Sequence, residues 1–179
     1  MSKVRALDAR GKSNEALDTP TDLSDAAVRE ISEAVNGVLA DSLALYLKTK
    51  NFHWHVSGPH FRDYHLLLDE KAADIFAATD DMAERVRKIG GTTLRSIGHI
   101  AKLQSLEDND ADFVPPGAML KELMNDNKKV AARMRDAHEV CEEHDDVATA
   151  SLIEIWIDQT EKRTWFLFEA ARGASNDGH

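Results

Sequence analysis

The chain has 179 residues, 30% charged and 42% hydrophobic, which suits one domain with a sizeable core. Its net charge of −10 repels phosphate backbones, so a folded body of this composition is a poor nucleic-acid binder and a good attractor of cations. The single cysteine, Cys141, excludes an internal disulfide and fits a reducing cytoplasm, and neither a signal-peptide h-region nor an apolar run of membrane-spanning length is present.

Residues 1–22 read as a flexible tail, small, polar and aperiodic, with Asp18-Thr19-Pro20 near its end. Residues 1–14 carry Lys3, Arg5, Arg10 and Lys12 against Asp8, a local charge of +3 that leaves −13 for the rest. Such an arm is either a solvated terminus or the one part of the chain suited to DNA.

A first long helix begins after Ser24 or Asp25, both good N-caps. Val28, Ile31, Val35, Val38, Ser42, Leu45, Thr49 and Phe52 carry its stripe at three-four spacing. Gly58-Pro59 opens the second, with Gly58 as cap and Pro59 at the first helical position. That helix runs to Ile89, where Arg85, Arg87 and Lys88 suit the C-terminal dipole and Gly90-Gly91 stop it. Leu94, Ile97, Ile100, Ala101 and Leu103 predict a short amphipathic helix in the connection that follows. Pro115-Pro116 opens the third long helix, striped by Leu120, Leu123, Asn127, Val130, Met134, Ala137 and Cys141. The fourth follows Asp145-Asp146 and ends near Arg172-Gly173, with Leu152, Ile155, Trp156 and Phe166 on its apolar face. Residues 174–179 form a short polar tail. The pattern predicts an all-α four-helix bundle over residues 23–173, with an extra short helix in the crossover between the second and third long helices.

The second long helix carries the chemistry. His65 and Asp69 are four apart, as are Asp80 and Glu84, so each pair stacks on one helical face. At 100° per residue the four lie within roughly 100° of one another around the axis. Yet His65 and Asp80 are about 22 Å apart along a straight helix, and metal–ligand bonds are about 2 Å long. The stripe therefore holds two half-sites. An isologous antiparallel pairing with a second copy, on a two-fold axis near Asp74 and Ile75, places His65 and Asp69 of one chain beside Asp80 and Glu84 of the other. Histidine with carboxylates is the ligand set for Fe(II), Mn(II) or Zn(II). Taken singly, each of these residues has an ordinary explanation as a structural histidine or a solvated acid, and Trp54 as packing. His55 and His60 stand close by in the sequence, as groups behind the ligands, as surface metal traps, or as bystanders. No histidine has an acid three positions earlier, so the intrachain Glu-x-x-His di-iron arrangement is disfavoured.

His53-Trp54, Gly58, Phe61, His65, Asp69, Asp80, Met82-Ala83-Glu84-Arg85 and Gly90-Gly91 together resemble the signature of the Dps family, the miniferritins. The resemblance covers about residues 24–170 and implies a ferritin-like four-helix bundle assembled as a hollow dodecamer. It further implies a ferroxidase centre at the two-fold interface. There His53, His65 and Asp69 come from one chain, Asp80 and Glu84 from its neighbour, and two iron ions bind per site. The implied activity is that of an oxidoreductase acting on metal ions: Fe(II) is oxidised, preferentially by hydrogen peroxide, and Fe(III) mineral is stored in the cavity. Trp54 lies beside this centre and would intercept stray oxidising equivalents. Asp145, Asp146 and Glu154 are the candidates for an acidic iron-uptake pore, although Val147 and Ser151 stand where the family pattern has acids. The resemblance also implies a cytoplasmic stress protein, nucleoid-associated where the basic tail holds DNA.

Overall fold

A computed structural model describes residue 17 and residues 19–172. Lys3, Arg5, Arg10 and Lys12, and the short tail over 174–179, lie outside the described residues. Five helices and no strand are found among the described residues: α1 (Asp25–His55), α2 (Phe61–Lys88), α3 (Ile97–Leu103), α4 (Pro116–Glu143) and α5 (Val147–Ala171). The long helices pack α1 on α2 and on α4, and α4 on α5, while α2 and α5 touch only lightly. This is the expected all-α, ferritin-like four-helix bundle.

Each boundary has a local cause. The Ser24 side chain accepts a hydrogen bond from the Ala27 N–H and starts α1. Pro116 fills the first position of α4, where a missing N–H costs nothing. The Asp146 carboxylate caps α5 by accepting from the Thr149 N–H. Gly90, with φ +92°, ends α2, and the Gly91 N–H returns to the Val86 carbonyl at 2.9 Å. A Cβ on Gly91 would lie 2.0 Å from Ser32 Oγ, so only glycine lets the crossover leave this close to α1.

Three sequence expectations need correction. α2 starts at Phe61 and not at Pro59: Gly58 sits at φ +97° and the Phe61 N–H bonds to its carbonyl at 3.0 Å, so Gly58-Pro59-His60 is spent on a turn. α3 buries none of its residues, and Ile97 is 79% exposed. In α5 the buried face is Thr149, Ala150, Ile153, Trp156, Thr160, Arg163 and Leu167, whereas Ile155 and Phe166 face outward. Near the end of the tail expected over 1–22, the Leu17 carbonyl accepts from Arg87 Nη2.

The interior is apolar with a few satisfied ionic groups. Phe52, Leu68, Ile75, Met82, Leu123, Met134 and Cys141 belong to one buried cluster. A fully buried side chain of this size contributes roughly 1.5–3 kcal/mol. Burial pushes the Cys141 thiol up to about 12, so it is an inert core residue. Lys48 Nζ bonds to Asp126 Oδ2 at 2.7 Å and approaches Glu122 Oε1 at 3.1 Å. Arg163 donates to Asn127 Oδ1 and Thr160 Oγ1, and burial lowers its guanidinium to about 10. Asp41, fully buried on α1, accepts from the Ser105 N–H and Oγ–H and from Arg133 Nη1.

Candidate metal centre

Two histidines meet where α1 ends and α2 begins. Their rings stack with centroids 3.8 Å apart, and Phe61 flanks His65 at 5.0 Å. His53 Nδ1 lies 2.8 Å from the His65 carbonyl oxygen, and His65 Nδ1 lies 2.9 Å from that of His53. A carbonyl oxygen only accepts, so each Nδ1 carries the hydrogen and each neutral ring keeps its lone pair on Nε2. This is the arrangement a metal-binding imidazole uses, with the far nitrogen anchored to backbone. The turn at Gly58 is what brings residues twelve apart in sequence into this clasp.

Asp69 stands one helical turn beyond His65. Its Oδ1 lies 3.9 Å from His53 Nε2 and accepts a 2.7 Å hydrogen bond from Lys50 Nζ. The bond from Lys50, then its charge, hold the Asp69 carboxyl below its usual value. Lys50 thereby favours the ionised form of Asp69. Trp54 is 59% exposed, with Lys50 Nζ 5.9 Å from its ring.

Asp80 and Glu84 lie on the far half of α2, about 16 and 22 Å from Asp69 at 1.5 Å per residue. Both are exposed. Asp80 borders a shallow groove with Leu39, Leu43, Phe76 and Leu94, and Glu84 pairs only with Lys88, at 3.2 Å. One chain thus stacks His53 on His65, sets Asp69 3.9 Å from His53, and keeps Asp80 and Glu84 apart from them. Among the described residues, no three His, Cys, Asp or Glu side chains of a single chain converge to hold a metal.

The remaining candidates separate clearly. Asp146 is buried and saturated: Arg85 Nη2, the Thr149 N–H and the Thr149 hydroxyl all bond to it. It caps α5 and is 5% exposed, with both carboxylate oxygens engaged. Asp145, at φ +55°, and Glu154, bonded to His138 Nε2 at 3.2 Å, are exposed at that end of the bundle. His55 bonds to the Asn51 carbonyl and His60 packs on Tyr64, so neither joins the centre. Lys50 is the neighbour that sequence reasoning missed. Its position three residues before His53, on the same helical face, was the available signal.

No helix among the described residues is long and apolar enough to cross a membrane. The ferritin-like domain profile matches residues 32–172. DNA protection during starvation protein 1 of Deinococcus radiodurans is 30% identical over 157 residues, which span 88% of this chain and 76% of that one. The DNA protection during starvation protein of Agrobacterium fabrum is 31% identical over 149 residues, spanning 83% and 92%. Among solved structures, DpsC from Streptomyces coelicolor superposes with a TM-score of 0.82 at 27% identity, over 85% of this chain and 89% of that one. With the histidine clasp, the acidic stripe of α2 and these likenesses covering most of both partners, the chain belongs to the Dps family of ferritin-like proteins.

Proposed function

We propose that the protein is a ferroxidase that stores iron, with its centres built between two chains. His53, His65 and Asp69 of one protomer and Asp80 and Glu84 of its two-fold neighbour would hold two Fe(II) ions as substrate. Hydrogen peroxide takes one electron from each: two Fe(II), one H2O2 and two protons give two Fe(III) and two waters. Pairing the electrons avoids the one-electron step that releases hydroxyl radical. The product then accumulates as mineral inside a dodecamer, and consumption of peroxide and iron protects cytoplasmic DNA. Asp145 and Glu154 are the acids left for an uptake pore, with Trp54 beside the centre to intercept stray oxidising equivalents.

The observation that carries this reading is the reciprocal histidine clasp. It holds two Nε2 lone pairs ready beside an ionised Asp69, on a cluster that one chain leaves incomplete. Anomalous scattering from iron-soaked crystals is the direct test. Peaks should fall between His53, His65 and Asp69 of one chain and Asp80 and Glu84 of another. Iron found inside a single bundle, or dyad-related copies of His65 and Glu84 far apart, overturns it.

A second activity is favoured by the basic residues at 1–14. Twelve copies of a weak arm gain effective concentration on one DNA molecule, a gain of 10² or more for roughly matched geometry. Removing residues 1–14 should weaken DNA retention in a gel shift by about tenfold or more at moderate salt. An unchanged shift removes the tail from DNA binding.

A further inference from the structure

Lys50 does not behave as a surface lysine. Its side chain is only 18% exposed, and its ammonium is bonded at 2.7 Å to Asp69 Oδ1. That same oxygen lies 3.9 Å from His53 Nε2. Two ligand bonds of about 2.1 Å span up to about 4.2 Å, so this gap is the width that one first-row metal ion bridges. The lysine therefore puts a positive charge on the very oxygen a metal would take. Its Nζ lies 5.9 Å from the centre of the Trp54 ring.

We propose that Lys50 is the resident counter-ion of this half-site, an internal cation that an incoming divalent ion must displace from Asp69 before it can bind between Asp69 and His53. The proposal rests on the interchain centre described above and adds a residue to it. Lys50 is not a ligand, since an ammonium has no lone pair to give. It acts through Asp69, as a positioning residue. In the metal-free protein it holds the carboxylate in place and cancels its charge. A dication arriving at Asp69 meets a hydrogen bond to break and a like charge to push aside. The four-carbon stem lets the ammonium swing outward past the exposed edge of Trp54 once its partner is taken. Loading is therefore an exchange of one cation for another, and affinity is set below what the bare ligands would give.

A purely structural lysine predicts the opposite sign. If Lys50 only propped Asp69 in position, removing it would misplace a ligand and weaken binding. The test is an anaerobic titration of the assembled, full-length protein with Co(II), read by calorimetry and by the visible absorbance of bound Co(II). Lys50→Met keeps the apolar stem and deletes the charge; Lys50→Arg keeps the charge. Lys50→Met should bind Co(II) roughly tenfold tighter than the unaltered protein, and Lys50→Arg within about threefold of it. Equal or weaker binding by Lys50→Met overturns the proposal, as does tightening by both variants alike. The paired variant His65→Ala with Asp69→Ala is titrated beside them. Binding left intact in that variant condemns the centre itself, and the role of Lys50 falls with it. Binding lost there but unmoved in Lys50→Met condemns the lysine alone.

Discussion

Replacing His65 and Asp69 together with alanine is expected to slow peroxide-driven Fe(II) oxidation by roughly 100-fold or more, given that disturbing even the groups behind metal ligands costs 10–100-fold. The assembly should survive, because His65 is only partly buried and Asp69 is exposed. Rapid-mixing absorbance of Fe(III) formation measures it, and an undiminished rate refutes the assignment. Asp80→Ala with Glu84→Ala should be equally inactive. Their mixture is the sharper measurement. In a dimer holding one chain of each variant, one centre carries both defects and the other carries neither. If chains pair at random, half the dimers are mixed, so about a quarter of the centres recover activity. A centre contained within one chain recovers nothing on mixing.

Replacing Asp41 with alanine is expected to lower stability by about 3 kcal/mol, through loss of a buried carboxylate that leaves charged and polar partners unsatisfied. Asp41 is 0% exposed and accepts from the Ser105 N–H at 2.5 Å, the Ser105 hydroxyl at 2.7 Å and Arg133 Nη1 at 2.7 Å. Arg133 also donates to the Leu103 carbonyl, so one carboxylate fastens α1, the end of α3 and α4. The guanidinium crosses directly over Gly37, where a Cβ would sit 2.3 Å from Nη2. For a domain of this size the midpoint should fall by roughly 6–12 °C in a thermal melt followed by circular dichroism. A fall of less than 2 °C would mean that Arg133 and Ser105 find water instead, and that the crossover is held by its apolar contacts.

The long helices could be read from the chain because their signals are local. The stripe from Leu120 to Cys141 follows one period throughout, and all seven of its residues are buried. Ser24, Pro116 and Asp146 announce helix starts by their own chemistry. The failures come where tertiary context decides. Gly58-Pro59 carries the sign of a helix start, yet the same dipeptide makes a turn, and the distance to be closed between His53 and His65 selects the turn. Ile155 and Phe166 are as apolar as Trp156, and only packing tells which side of α5 is covered. Asp41 and Lys50 are single charges in apolar or ordinary surroundings, and their partners lie 64 and 19 residues away. No spacing rule reaches across such separations. The placement of His65, Asp69, Asp80 and Glu84 along α2 was legible for the reverse reason: they share one helix, so rise and rotation alone place them.

The mutual grip of His53 and His65 has a consequence for what a change at either position does. Each imidazole is steered by the other residue's main chain, not by a third party. Swapping either ring for a smaller side chain strips its neighbour of the stacking that confines it. Each ring keeps its main-chain anchor after such a change and loses the stacked partner that limits its rotation.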